Sequence, residues 1–328
     1  MNLLNLANCS TQGNTGGTFC NIEPVYIVYA FFVPVGTVIP ATALASQAAF
    51  TTYVQTTSLW ANSRSSRWQR SPKLGDFKDN TKEPNLEDID GYMATTQFLP
   101  YDWTYRCITG QSGTSKNLWQ TWRAYINGQQ DLFNVYFVDA NNQWLGTSAL
   151  DSTGAQGLGS ISLTNILIYD WGQATTKTAN KYMMRLMLAD NTQLNQYFAG
   201  FTCTTNTANY KPLTDVAIVA GTTAISATHI YVSGTIGGNT LGKQFGTTLA
   251  AVSAWVITDT TTGTKTFTAS GVTYDTVNDQ YNIAGTWSTS NTGDTVTVAL
   301  ATPSVMTVTP FFTAIVTEGT NIYSYVAP

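Results

Sequence analysis

The residues that could carry chemistry in this chain are few and scattered. His229 is the lone histidine among 328 residues, and it precedes Ile230-Tyr231-Val232 with no acidic or cysteine neighbour. A histidine acting as a general base needs an orienting partner and a reacting group within reach. His229 therefore reads as a structural or surface residue. Cys9, Cys20, Cys107 and Cys203 form no Cys-x-x-Cys pair and have no histidine nearby, which is not the spacing of a zinc site. They read as reduced, mostly buried thiols. A Cys9–Cys20 bridge flanking Gly13–Gly17 is the alternative for that pair.

Carboxylates offer a second chemistry. Asp102 and Asp139 sit at or beside strand-like runs, and glycoside hydrolysis needs only two carboxyls, which can be remote in sequence. Asp76, Asp79, Glu83, Glu87, Asp88 and Asp90 are a hard-cation candidate, but they lack the alternate spacing and the glycine of an EF-hand loop. They read better as a solvated or subunit-contacting acidic loop. Trp119, Trp122, Tyr125 and Trp144 could stack on a sugar, yet their helical and hairpin spacing suits a core or a subunit interface. Gly234–Gly242 is followed by no Lys-Ser/Thr pair at phosphate-cradle spacing, and the chain has no Gly-x-Ser-x-Gly, His-Glu-x-x-His or P-loop motif. No catalysis, cofactor or metal is expected.

Composition points the same way. Charged residues make up 10% of the chain, apolar ones 43% and aromatics 12%, enough to fold a core but poor in groups to tune for catalysis. The net charge of −4 leaves no basic footprint for specific nucleic-acid binding. Residues 1–212 hold 13 Lys/Arg and 13 Asp/Glu, whereas 213–328 hold 2 and 6, so the charge balance breaks near 212. Two domains, 1–212 and 213–328, are expected, joined by the polar run Thr205–Pro212. Pro34, Gly36 and Pro40 interrupt the longest apolar stretch, Val25–Pro40, so no membrane span is expected. Met1–Ser10 lacks the charge and the apolar run of a secretory leader.

The elements that must position these residues are mostly strands. Val25–Val33, Tyr101–Cys107, Phe133–Val138, Gln143–Thr147, Ile161–Tyr169 and Tyr182–Leu188 are rich in β-branched and aromatic residues. One long helix is expected over 41–62, with Thr42 as a cap, and short ones over Leu118–Tyr125 and Thr192–Phe198. Beyond 213, short strands recur between Gly, Asn and Asp turns at Ile230–Ser233, Ala254–Thr258, Lys265–Thr268, Gln280–Ile283, Thr295–Leu300 and Ala314–Thr317. No helix is persuasive there. The expected fold is mainly β: an N-terminal β-sandwich or barrel with one long and one short helix, then an all-β immunoglobulin-like sandwich without a disulfide.

Between these elements lies a charged stretch, basic at Arg64, Arg67, Arg70 and Lys73, then acidic from Asp76 to Asp90. Opposite blocks this close suit pairing within a subunit or with a neighbour. Arg64, Arg67, Arg70, Asp76, Asp79 and Glu83 are the candidate subunit-contact residues. Charge reversal at the three arginines is expected to block assembly without unfolding the monomer.

The order of segments also carries a resemblance. Phe32-Val33-Pro34-Val35-Gly36 leads to the helix from Ala41, then to Gly75-Asp76-Phe77-Lys78-Asp79-Asn80-Thr81-Lys82-Glu83-Pro84 and an aromatic hairpin. Val135-Tyr136-Phe137-Val138-Asp139 follows, with Asn142, Trp144, Gly146 and Thr147 after it. Leu213-Thr214-Asp215-Val216 opens the second half, and Leu300-Ala301-Thr302-Pro303-Ser304-Val305 lies near its end. Over most of its length the chain resembles virion structural proteins of tailed bacteriophages, and within them a tail-tube subunit with an outer immunoglobulin-like domain. The resemblance implies homo-oligomeric rings stacked around a DNA channel, contact with other virion proteins, location in the virion, and no catalysis. A capsid or head-decoration protein, including a double jelly-roll subunit, is an alternative. So is a carbohydrate- or cell-surface-binding module.

Overall fold

A computed structural model gives the architecture. It describes residues 26–59, 65–82, 85–89, 92–97, 100–108, 122–171, 181–189, 198–210, 213–226, 228–236, 239–259, 267–287, 295–300, 314–316 and 323–326. The described residues form two compact units, one from the chain up to Tyr210 and one from Lys211 onward. The fold is mainly β, built from antiparallel sheets with few helices.

The first unit begins with β1 (Ile27–Pro34), β2 (Val38–Ile39), β3 (Gln69–Arg70), β4 (Lys73–Asp79), β5 (Asn85–Ile89), β6 (Tyr92–Gln97) and β7 (Asp102–Ile108). It continues with β8 (Phe133–Asp139), β9 (Gln143–Leu150), β10 (Gln156–Gly159), β11 (Leu163–Trp171), β12 (Lys181–Leu188) and β13 (Phe198–Thr202). A seven-stranded sheet runs β2-β10-β9-β8-β1-β3, with β13 also on β9, and a four-stranded sheet runs β11-β12-β7-β4. The larger sheet is covered on both faces. Phe31, Val33, Tyr136, Val138 and Trp144 pack with Phe50, Val54 and Leu59 of the helical segment on one side. On the other side Phe137 meets the rings of Trp103 and Tyr105 from the smaller sheet, and Phe32 meets Trp122. Burial on both faces is why β1 and most of β8 read as apolar runs rather than alternating ones. The chain passes from one sheet to the other at Ser71-Pro72, where Ser71 N–H donates to Ala30 O and Ser71 Oγ accepts from Ala30 N–H.

The long helix expected over 41–62 is broken. The chain forms a four-residue helix, Ala41–Leu44, a second helix, Gln47–Thr52, and a π-helical turn, Tyr53–Leu59. Ser46 causes the break: its backbone is extended and its Oγ accepts from Ala49 N–H, so it starts a new helix rather than continuing the old one. Residues 122–126 are helical, whereas 118–121 lie outside the described residues. Gly128, at φ +72, ends that turn and donates to Ile166 O, and Asn127 Oδ1 accepts from Ile168 N–H. The helix end thus covers the outer edge of β11. Of the helix expected over Thr192–Phe198, Phe198 instead opens β13 and 192–197 lie outside the described residues.

The second unit holds β14 (Leu213–Ala220), β15 (His229–Ile236), β16 (Asn239–Thr240), β17 (Trp255–Asp259), β18 (Phe267–Asp275), β19 (Gln280–Trp287), β20 (Thr295–Leu300), β21 (Ala314–Val316) and β22 (Tyr323–Val326). One sheet runs β18-β19-β15-β14, extended by β21, and the other runs β17-β20-β22. With the short β16 (paired to β15) and β21 set aside, the remaining seven strands lettered in chain order are D-E-B-A and C-F-G, the order of a constant-type immunoglobulin sandwich. Trp255, on the C strand, is buried against Tyr281 of the E strand at 5.3 Å between ring centroids. Its Nε1 donates to Leu249 O, so the buried ring is also satisfied as a donor. A correction applies to the helix-free expectation. Leu241–Phe245 is helical, and Gly246–Leu249 and Val252–Ala254 are 3-10 turns. This short, glycine-containing run carries the chain from the B strand to the C strand, and it is too brief to show helical periodicity.

Candidate functional site

The four-stranded sheet has one face in the sandwich and one face outward. Residues directly opposite one another on antiparallel strands share a face. The register joins Lys78 to Thr104, Thr104 to Arg185 and Arg185 to Leu167 in one row across all four strands. A second row joins Arg106, Met183 and Tyr169, and a third Asp102, Met187 and Asn165. The alternating partners Tyr182, Met184, Leu186 and Leu188 are buried toward the sandwich. The outward face thus presents Leu167, 40% exposed, and half-buried Met183 and Met187 among three cations.

Its electrostatics are ordered. Arg185 Nε donates to Asp102 Oδ1 at 2.7 Å, and Nη2 donates to Oδ2, a bidentate fork. That bond holds the Arg185 guanidinium above its ordinary value. Asn80 and Thr81 close over Asp102: Asn80 N–H donates to Asp102 O, and Thr81 Oγ1 accepts from Asp102 N–H. Arg106 reaches Asp76 at 3.1 Å on the surface. Asp76 lies in a bulge of β4 between Gly75 and Lys78 with φ +48, which twists the edge and leaves Phe77 54% exposed beside Trp103 and Tyr105. Such mixtures of Met, Arg, Leu and aromatic side chains suit protein contact surfaces.

Of the predicted contact residues, Asp76 and Asp79 fall on this exposed strand. Arg64 and Glu83 lie outside the described residues. Arg67 and Arg70 are corrected: both are buried inside the subunit, at 1% and 6% exposure. Arg70 Nη1 donates to the carbonyls of Thr207, Ala208 and Tyr210 at 3.2, 3.2 and 2.5 Å, and its guanidinium lies over the Tyr29 ring. Burial lowers this guanidinium to about 10. Reversing its charge attacks the fold, not only a contact.

The other candidates are occupied by structural work. Asp139 Oδ1 accepts from Asn141 and Gln143 N–H in the β8–β9 turn, while Asp102 pairs with Arg185. Trp122 and Trp144 are core, and Tyr125 packs on Phe133. Trp119 lies outside the described residues. His229 Nδ1 bonds Thr228 Oγ1 and its ring stacks with Tyr231. Cys107 and Cys203 are free and buried, and burial pushes the Cys107 thiol up, which keeps it protonated. Cys9 and Cys20 lie outside the described residues. Among the described residues, no three His, Cys, Asp or Glu side chains converge as metal ligands, and no helix is long and apolar enough to cross a membrane.

Sequence reasoning missed Lys78, Arg106, Arg185 and the two methionines. The available signal was the alternation in Tyr182-Met183-Met184-Arg185-Leu186-Met187-Leu188, which sets one charged residue among half-buried ones. Set against known proteins, the chain matches no family model and no curated protein.

Proposed function

We propose that this chain is a non-enzymatic virion structural protein that assembles with copies of itself, as a tail-tube subunit of a tailed bacteriophage forming stacked rings around the DNA channel. One observation carries the reading: an outward sheet face that mixes Leu167, Met183 and Met187 with Lys78 and two arginine–aspartate pairs, beside a bulged edge strand bearing Phe77, Asp76 and Asp79. The segment order and the immunoglobulin-like second unit add support. A ring closes when one heterologous contact repeats through a full turn. A net charge of −4 lets DNA pass with few phosphates neutralised. The protein works in the virion, with itself and other virion proteins as partners, after assembly in the host cytoplasm.

The test is the mass and shape of the purified chain, by light scattering and negative-stain microscopy. Rings or tubes are expected. A strict monomer at high concentration, with binding on a glycan array, refutes self-assembly in favour of a binding module.

A further inference from the structure

In the second unit the connection between β14 and β15 folds onto the side chain of Gln280, the first residue of β19. Gln280 is 1% exposed, and its amide is held at both ends. Oε1 accepts from Thr222 Oγ1 at 3.1 Å and from Thr223 N–H at 3.3 Å. Nε2 donates to Thr223 Oγ1 at 2.8 Å and to Asp275 Oδ2 at 3.5 Å. Gly221 lets the connection lie this close, since a Cβ there would come within 2.5 Å of Oε1. Two features go beyond a satisfied amide. The donors on the oxygen have the make-up of an oxyanion hole, and one of them is the N–H of the residue that also supplies the hydroxyl, as in serine hydrolases. The carboxylate stands at the nitrogen, where a leaving amine must gain a proton. Asn278 Nδ2 donates to the same Asp275 oxygen at 2.7 Å, which fixes the carboxylate and keeps it ionised. Nε2 is one C–N bond from Cδ, so Thr223 Oγ1 lies within about 4 Å of that carbon. Attack requires only that the exposed Thr223 hydroxyl swing from Nε2–H to Cδ.

We infer that Thr223 and Gln280 are the two ends of an ester cross-link that the second unit forms in itself. Thr223 Oγ1 bonds to Gln280 Cδ, and its proton passes to the Asp275 carboxylate. The negative charge that develops on Oε1 is held by Thr222 Oγ1–H and Thr223 N–H. The Cδ–Nε2 bond then breaks, Asp275 gives the proton to Nε2, and the nitrogen leaves as ammonia. The carboxylate is regenerated, nothing is oxidised or reduced, and no co-reactant is consumed. The product ties the β14–β15 connection to the start of β19 by a covalent bond in place of hydrogen bonds. The inference is independent of the self-assembly reading.

Mass spectrometry of the purified full chain tests this. The wild type is expected to be lighter than its sequence by one ammonia. Its digest should contain one peptide pair joined through Thr223 and Gln280, and hydroxylamine, which cleaves esters, should separate the pair. Thr223→Val keeps the shape without the hydroxyl and is expected at full sequence mass, whereas Thr223→Ser should still link. Asp275→Asn removes the base and should link far more slowly. A wild type that stays at full sequence mass after days at neutral pH overturns the inference. So does an ammonia loss that maps to other residues or persists in Thr223→Val. The wild type alone decides the first point, so a variant that fails to fold does not shield the inference.

Discussion

Replacing Arg70 by methionine isolates the buried guanidinium, because methionine keeps most of the volume and removes the donors. Nη1 carries two hydrogens, so two of its three carbonyl bonds form at a time, and the acceptors on Thr207 and Tyr210 are buried. At about 1.5–3 kcal/mol net for a hydrogen bond to a charged group, R70M loses about 3–6 kcal/mol. The guanidinium is lowered to about 10, so burying the charge already offsets some of that gain, and the lower end, about 3 kcal/mol, is expected. Urea unfolding of the full chain, followed by tryptophan fluorescence, reads the loss. Limited proteolysis should show new cleavage within 203–212, because the carbonyls of 207–210 lose their anchor. A loss below about 1 kcal/mol with no new cleavage refutes the reasoning, since the bonds would then contribute no more than one ordinary surface interaction.

Gly146→Ala should destabilise by about 1–3 kcal/mol or more, because its Cβ would overlap the Gly159 carbonyl oxygen and meet the Tyr136 ring at 3.1 Å. Gly271→Ala, with nothing within 4 Å, is the control, and equal urea midpoints for the two would refute the packing argument. Asp151 accepts from Thr153 Oγ1, Ala41 N–H, Thr153 N–H and Ala155 N–H, which lower its carboxyl to about 2. Its stabilising effect is complete above its ordinary value near 3.8 and is lost as pH falls toward 2. The gap in melting temperature between wild type and Asp151→Asn should therefore close over that range, and a gap independent of pH counts against it.

The strands buried on both faces stand out in the sequence as apolar runs, and those of the four-stranded sheet other than β4 as alternating ones. Ile27–Pro34 and Phe133–Val138 are apolar at nearly every position because each lies between two packed layers, Asn134 being the exception that bonds Ser160. Lys73–Asp79 reads as a charged loop because only Leu74 of it is buried, yet it pairs with β7. The break at Ser46 is a local competition between a cap and a helix, and apolar periodicity does not register it. Arg70 looked exposed because its acceptors lie about 140 residues away in the chain. The outward face escaped for a similar reason: Lys78, Arg185 and Leu167 become neighbours only once the four strands are set in register.

β14 and β21 run parallel, with Leu213, Thr214 and Asp215 beside Ala314, Ile315 and Val316. One strand opens the second unit and the other comes near its close. Tension between the start of β14 and the end of β21 drags the two strands past each other along their length. The backbone bonds between them are then loaded in shear and must fail together, whereas those of a hairpin pulled at its open end unzip singly. Between those two points the second unit resists a pull through bonds loaded in shear, a property distinct from its equilibrium stability.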